Sequence, residues 1–179
     1  MKAVEIMMEE HRNIRRMLLK MRKIANDMTL YNYDDMQDIV AFCHEYADEH
    51  HHMKEEKILF PEMMKSNPVF FEGMINHVML VEHEEGRSHI RNMKILIDEY
   101  EHHHDQGCLE RLAYEMKAYC EVLKEHTEKE DECLYQFAEN DLSEQSKEHV
   151  DTLSLEWEDY NKERAHHFVD VLHKIEEAY

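Results

Sequence analysis

The sequence predicts an all-α protein: an up-down-up-down four-helix bundle followed by an additional C-terminal helical segment. Its 179 residues include only three glycines and two prolines, and glutamate, lysine, methionine, leucine and histidine are abundant. That composition favours helix. Apolar residues recur at steps of three and four along four long segments, the spacing of one face of an amphipathic helix. Four such helices joined by short connections pack antiparallel as a bundle.

The four apolar stripes give the order of the helices. The first stripe covers residues 4–28, and the second covers 40–58, with a predicted helix end near Pro61. The third covers 79–100 and the fourth 109–137. Turn-forming and polar residues separate them, as expected between helices.

The chain is predicted to divide into a bundle, residues 1–140, and a C-terminal helical extension, residues 141–179. The extension carries its own short apolar stripe, formed by Val150, Leu153 and Trp157. A helix with one apolar face needs a surface to cover that face. We therefore expect the extension to pack on the bundle or to pair with a second copy of the chain as a homodimer.

Two helical motifs place a histidine four residues before a glutamate, at His51 and Glu55 and again at His126 and Glu130. Residues four apart lie on the same helical face, and here that face is the apolar one. Two imidazoles and two carboxylates inside a bundle are more polar groups than a core tolerates without a partner. A pair of metal ions is the partner that these groups favour.

An internal repeat supports this prediction. The doublet Glu10-His11 resembles Glu82-His83, and each precedes its own histidine–glutamate motif, by 40 residues (11 to 51) and 43 residues (83 to 126). The bundle is therefore predicted to consist of two similar helical hairpins that face each other. Each hairpin would contribute three ligands to one site.

The predicted metal ligands are the polar members of the inward stripes: His11, His51, Glu55, His83, His126 and Glu130. Four imidazoles among six ligands argue against calcium or magnesium, which prefer oxygen. A structural zinc ion needs only four ligands, often thiolates. The set therefore predicts two octahedral-type transition-metal ions bridged by the two glutamates, and iron, manganese or zinc would suit it. With iron, the predicted chemistry involves O2, peroxide or nitric oxide.

A competing ligand pair has the same spacing, because His52 and Glu56 are also four residues apart. The phase of a regular helix favours His51 and Glu55, since Asp48 precedes His52 on what would be a polar face. The other histidines are predicted to be solvated or in loops; they are His44, His50, His52, His77, His89, His102, His103, His104, His149, His166, His167 and His173.

Two further residues are candidates near the predicted site. Tyr119 lies two helical turns before His126 and is a candidate donor of a hydrogen bond to a metal-bound oxygen species, although a buried tyrosine with a satisfied hydroxyl is the simpler interpretation. Gly86 lies on the inward face beside His83. Its missing side chain suggests a path for small molecules to the metal.

The charge excludes several function classes. A formal net charge of −20 at pH 7 disfavours binding to nucleic acid or to anionic membrane surfaces. No apolar run is long enough for a membrane span, and the N-terminus has no signal-peptide pattern. The four cysteines form no CxxC motif and are too few for a disulfide framework, which suits a reducing compartment. We therefore expect a cytoplasmic protein.

The motifs together resemble those of the hemerythrin-like HHE cation-binding proteins. The similarity covers roughly residues 1–140 and includes both Glu-His doublets, His-His-x-Lys-Glu-Glu-x-Ile-Leu-Phe at 51–60, and His-x-x-Lys-Glu-Asp at 126–131. It implies a non-haem di-iron bundle with carboxylate and oxo or hydroxo bridges. The resemblance also implies oxygen binding or sensing, a nitric oxide or peroxide stress response, or repair of iron–sulfur clusters.

The chain departs from the oxygen-carrying hemerythrins in two places. Those proteins have a second histidine one turn after the third-helix histidine, where this chain has Arg87, and an aspartate where it has Glu130. The departures favour reactivity over reversible oxygen storage. Three functions follow: a di-iron protein or oxidoreductase acting on O2, peroxide or nitric oxide with an electron donor, an iron donor to an iron–sulfur protein, or a purely structural metal-binding bundle.

Overall fold

The computed structural model describes residues 1–179 and contains no strand, which confirms the all-α prediction. The helices are α1 (Lys2–Asn26), α2 (33–66), α3 (68–103), α4 (106–141) and α5 (Glu144–Ala178), with one 3-10 turn, Met28–Leu30, between α1 and α2. Helices α1 to α4 form the bundle, in which α3 packs against α4, α4 against α1, and α2 against α1 and α3.

Short polar side chains fix the start of each later helix. Each accepts a hydrogen bond from a backbone N–H of the first turn and so satisfies a donor that the helix itself leaves free. These N-terminal caps are Asn32 for α2, Asn67 for α3, Asp105 for α4 and Ser143 for α5. The connections are therefore only a few residues long, and consecutive helices must run antiparallel.

Four stretches of the bundle helices widen into π-helix, in which the backbone hydrogen bonds span five residues instead of four. They are Phe42–His52 and Glu55–Leu59 in α2, Ile75–Met79 in α3, and Glu130–Leu134 in α4. Most of the predicted ligands of α2 and α4 lie in or next to these stretches. A π segment changes which side chains share a face, so it alters which residues reach the interior.

The second helix does not end near Pro61 as predicted. It continues to Ser66. In a regular helix the proline ring clashes with the carbonyl four residues earlier, and the proline lacks an N–H. Here Pro61 is the second residue after the π segment Glu55–Leu59. Because the backbone hydrogen bonds before Pro61 span five residues instead of four, the helix accommodates the proline ring and its missing N–H.

The core consists of two apolar clusters with a polar layer between them. The larger cluster includes Ile14, Ala47 and Leu123, and the smaller one includes Met7 and Leu134. Each bundle helix contributes residues to both clusters. The predicted metal ligands of each helix lie between its residues in the larger cluster and its residues in the smaller one. The polar layer is thus shielded from water at both ends of the bundle.

Helix α5 lies along α1 and α2 of its own chain. Its buried apolar residues join both clusters, with Val150 in the smaller one and Phe168, Val171, Leu172 and Ile175 in the larger. The extension therefore covers the polar layer from one side. None of the helices has the length and apolar character needed to cross a lipid bilayer.

Candidate metal centre

All six predicted ligand residues meet in the polar layer, and each is at most 1% exposed. Helix α1 contributes one of them, α2 two, α3 one and α4 two. These residues are His11, His51, Glu55, His83, His126 and Glu130. The two hairpins therefore place their polar side chains at one point, as the repeat predicts.

The ligand atoms form two groups that share both carboxylates. In the first group, His11 Nε2 lies 3.2 Å from Glu130 Oε2, and His51 Nε2 lies 3.7 Å from Glu55 Oε2. In the second, His83 Nε2 lies 3.5 Å from Glu55 Oε2. His126 Nε2 lies 3.2 Å from Glu130 Oε2. Within each group the candidate ligand atoms are all within 4.8 Å of one another. Two groups with shared carboxylates are the arrangement expected for a bridged pair of ions.

His52 also faces the polar layer, so the prediction that it is solvated is wrong. It is 2% exposed, and its ring stacks on that of His83 with a centroid separation of 4.0 Å. A candidate ligand atom of His52 lies within 4.8 Å of those of His83 and His126. The second group therefore has a third imidazole beside it, next to His83 and His126, whereas the first group has only two imidazoles.

The π-helical backbone explains why the phase argument failed. His51 and His52 are the last two residues of the π segment Phe42–His52, and regular α-helix resumes briefly at Met53 and Lys54. In a wider helix each residue turns through a smaller angle than in an α-helix. Two consecutive side chains can therefore both point to the interior, and the choice between His51 and His52 was not a real alternative. Glu56, by contrast, is not among the shared carboxylates.

Each of the five inward histidines has a carboxylate beside its Nδ1 atom. The pairs are His11–Asp131 (2.7 Å), His51–Glu10 (2.7 Å), His52–Asp48 (3.5 Å), His83–Glu56 (2.7 Å) and His126–Glu82 (3.0 Å). A neutral imidazole whose Nδ1–H donates to a carboxylate has its Nε2 lone pair free for a metal. The carboxylates therefore fix the ring orientation and the tautomer of four of these histidines, whereas His52 Nδ1 only lies near Asp48 and makes no hydrogen bond.

These outer carboxylates are in turn paired with cationic side chains. The pairs are Asp131 with Arg15, Glu10 with Lys54, Asp48 and Glu56 with Arg87, and Glu82 with Lys129. The outer carboxylates and their cationic partners also follow the sequence repeat. Glu10 and Glu82 directly precede His11 and His83, and Arg15 and Arg87 follow these histidines by four residues. Arg87 thus contributes no ligand but orients the partners of two histidines.

Burial sets the protonation of the inner groups. It lowers the pKa of all five histidines, that of His52 to about 4, against the opposing effect of the neighbouring carboxylates on His11, His51, His52 and His126. Burial also raises the pKa of Glu55 and Glu130, which are close together. Neutral imidazoles are the form that binds metals. The two glutamates gain their negative charge most readily when a cation lies beside them.

The residues fit a metal pair better than they fit an empty core. Buried polar atoms without any hydrogen-bond partner are rare in folded proteins, yet His51 Nε2, His52 Nε2, Glu55 Oε2 and both carboxylate oxygens of Glu130 have none. His83 Nε2 and His126 Nε2 lie 3.1 Å apart, so their lone pairs face each other when both Nδ1 atoms are protonated. No lysine or arginine forms an ion pair with Glu55 or Glu130. Metal cations would satisfy all of these atoms.

A tyrosine does lie at the site, but it is Tyr135 instead of Tyr119. The Tyr135 hydroxyl donates a 2.6 Å hydrogen bond to Glu55 Oε1 and lies 3.3 Å from His11 Nε2. In the repeat its counterpart is Phe60, whose ring stacks on His83 as Tyr135 stacks on His11. The repeat could have been used to predict that both rings lie at the site, because Phe60 lies five residues after Glu55 and Tyr135 lies five residues after Glu130.

Tyr119 is buried, and its hydroxyl has no hydrogen-bond partner. Burial raises the pKa of this hydroxyl, and the neighbouring Cys43 thiol adds to the effect. The simpler interpretation from the sequence, a satisfied hydroxyl, is therefore wrong. Tyr119 lies in the larger apolar cluster, whereas the observed contacts to the ligand residues come from Tyr135.

Gly86 serves close helix packing. A Cβ atom at this position would lie 3.2 Å from Leu123 Cδ2 and 3.7 Å from Tyr119 Cε2. The space that a side chain would fill is therefore already occupied by residues of α4. This geometry does not support the predicted path for small molecules.

His50 is the second histidine wrongly predicted to be solvated. It is 1% exposed and its Nε2 lies 2.8 Å from Glu10 Oε1. Burial alone would lower the pKa of His50, but Glu10 and Glu158 outweigh it and raise the pKa. His89 is half-buried and pairs with Glu115. The remaining histidines of that prediction are exposed.

The fold and the site together define a metal-binding four-helix bundle. The chain belongs to the hemerythrin HHE cation-binding domain family, whose pattern matches residues 2–138, so the resemblance noted in the sequence is confirmed. Searches among curated proteins and among solved structures gave no match. The matched residues include all seven inward ligand candidates and end before α5 begins.

Proposed function

We propose that the chain is a non-haem di-iron protein that binds and reacts with O2, peroxide or nitric oxide. The single observation that carries the proposal is the pair of buried carboxylates, Glu55 and Glu130, which lie between two groups of imidazoles and keep three oxygens without a hydrogen-bond partner. Seven nitrogen and carboxylate ligands are too many for one structural zinc ion. A mixture of imidazole and carboxylate suits iron in six-coordinate positions.

The ligand assignment follows from the two groups. His11 and His51 would hold one ion, and His52, His83 and His126 would hold the other, while Glu55 and Glu130 would bridge them. Reduced iron would supply electrons and coordination positions that small oxidants or nitric oxide can occupy. The position with two imidazoles has fewer protein ligands, so we expect exogenous ligands there.

The protein's own groups define the environment of that position. Tyr135 is the hydroxyl donor next to the two-histidine group, and its hydrogen bond to Glu55 orients the carboxylate. The apolar clusters on both sides of the polar layer exclude water. The outer carboxylates hold each imidazole in place, so that binding of a ligand requires little rearrangement.

The alternative role as an iron donor for iron–sulfur clusters receives less support. The inward ligand residues are at most 2% exposed, and four of the five histidines are hydrogen-bonded to an outer carboxylate. An ion in this environment would leave slowly, whereas a donor needs labile metal. An electron donor protein remains part of the proposal, because reduction of O2 or peroxide consumes electrons that the chain must receive.

The proposal is tested by loading the metal-free protein anaerobically with Fe(II) and exposing it separately to O2, hydrogen peroxide and nitric oxide. We expect charge-transfer absorption bands that differ among the three ligands. A zinc-loaded sample is the matched control and should give no such bands. An iron-loaded protein whose spectrum responds to none of the three would contradict the proposed reactivity.

A further inference from the structure

The repeat gives the site two equivalent chains of contacts that end at a ligand. In one, Lys54 binds Glu10, and Glu10 binds His51 Nδ1. In the other, Lys129 binds Glu82, and Glu82 binds His126 Nδ1. The two lysines occupy equivalent positions, each three residues after its ligand histidine. Within the bundle the two chains make the same contacts, except that His50 also contacts Glu10 and has Glu125 as its counterpart in the repeat.

Helix α5 makes the two chains different. The Lys54 side chain is 0% exposed, and its Nζ lies 2.5 Å from Glu10 Oε1 and 2.5 Å from Glu158 Oε1. The Lys129 side chain is 43% exposed and pairs only with Glu82. Glu158 belongs to α5, which has no counterpart on the other side of the bundle. A buried ion pair experiences less screening than an exposed one.

Two more contacts fix α5 at this point. His50 Nε2 lies 2.8 Å from Glu10 Oε1 and 3.4 Å from Glu158 Oε1. The Trp157 indole donates a 3.0 Å hydrogen bond to the backbone carbonyl of His50. The contacts of Glu158 and of its neighbour Trp157 therefore hold the Glu158 side chain beside His50 and Lys54 of α2.

The cluster of Glu10, His50 and Glu158 does not need an ion of its own. These three residues could hold a metal by distance alone, but the Lys54 ammonium lies between the two carboxylates. It supplies the positive charge that a metal would bring. The cluster is thus a support for the central site, and Glu10 is the residue that joins the two.

We propose that Glu158 of α5 is a positioning residue for the ion held by His11 and His51, and that it strengthens binding at that position alone. Glu158 shares the positive charge of Lys54 with Glu10 and lies close to His50, and Glu10 keeps its second oxygen, Oε2, on His51 Nδ1. Without Glu158, Lys54 and His50 would have Glu10 as their only carboxylate partner, and their stronger attraction to it would weaken its contact with His51. The inference rests on the proposed two-metal site and adds a function for the helix outside the family domain.

The test compares iron release from full-length wild type, Glu158→Gln and Glu156→Gln. Each protein is loaded anaerobically with Fe(II), and release to a chelator is followed by absorbance. We expect Glu158→Gln to bind two ions and to lose half of its iron faster than wild type by at most about tenfold, the lower end of the effect of removing a direct hydrogen-bond partner of a ligand, because Glu158 acts through Lys54 and Glu10. The other half should leave at the wild-type rate. Glu156 is exposed on the same helix, and its variant should match wild type.

A second variant distinguishes a local effect on one ion from a general destabilisation of the fold. Lys129→Gln alters the equivalent, exposed lysine and should speed release of the other half of the iron. Unchanged rates in Glu158→Gln, equal acceleration of both halves, or the same effect in Glu156→Gln would overturn the inference. Failure of the wild type to bind two ions would instead overturn the proposed function, so the two failures are distinguishable.

Discussion

The imidazoles of His52 and His83 lie face to face, with ring centroids 4.0 Å apart and planes inclined by 12°. In the repeat, the position of His52 corresponds to Thr127, which is a buried partner of Arg15 and not a ligand candidate. Tyr135 and Phe60 differ between the halves as well. The six predicted ligands are therefore related by the repeat, but the two halves of the site differ. His52 lies beside His83 in one half, and the Tyr135 hydroxyl lies beside His11 in the other.

Replacing His52 by threonine should restore the symmetry and weaken one metal position. We expect His52→Thr to lose affinity for one of two Fe(II) ions by more than the roughly 10–100-fold that loss of an outer partner costs. Equilibrium titration under anaerobic conditions measures this. The exposed His77 gives the matched control, His77→Thr. Equal affinities in His52→Thr and wild type would show that His52 is not a ligand.

Tyr135→Phe should change reactivity without changing metal content. A hydrogen bond to a charged group contributes about 1.5–3 kcal/mol, and 1.36 kcal/mol corresponds to a factor of ten in rate. We therefore expect reaction of the reduced protein with peroxide to slow by about tenfold or more, as measured by stopped-flow absorbance. Tyr119→Phe is the control and should react like wild type. The reverse pattern would support the role that the sequence suggested for Tyr119.

Metal uptake should release protons near neutral pH. Burial raises the pKa of Glu55 and Glu130, so the metal-free folded protein retains protons on these groups to higher pH than an unfolded chain does. Their contribution to its stability is lost as pH rises through the raised pKa. Bound metal displaces these protons, so affinity should increase with pH, with about one to two protons released per pair of ions. A pH indicator in weak buffer measures this, and uptake without proton release would argue against both carboxylates as ligands.

Gly86→Leu should destabilise the protein through overpacking. A side chain here meets Leu123 and Tyr119, and forcing extra volume into a packed core costs about 1–3 kcal/mol. Urea unfolding of the metal-free protein measures the free energy of unfolding. Gly73→Leu is the control, since nothing lies within 4 Å of a Cβ at Gly73. A stable Gly86→Leu protein with slowed ligand binding would instead favour the small-molecule path.

The sequence predicted the bundle and six inward residues because periodicity and an internal repeat gave the same answer. It did not predict His52, since the phase argument assumed regular α-helix where α2 is widened by π segments. The outer carboxylates could have been predicted from the repeat. The doublet Glu10-His11 recurs as Glu82-His83, and the doublet Glu55-Glu56 recurs as Glu130-Asp131. Glu158 could not be predicted, because it is one of many acidic residues on α5 and no motif or repeat distinguishes it.

The central claim is that two ions bind in the polar layer of each chain. The most direct measurement is an anaerobic equilibrium titration of the metal-free, full-length protein with Fe(II), followed by elemental analysis of the separated complex. Two Fe(II) ions per chain are predicted, with a change of coordination spectrum up to the second equivalent. Saturation at one ion per chain, or no binding, would contradict the claim.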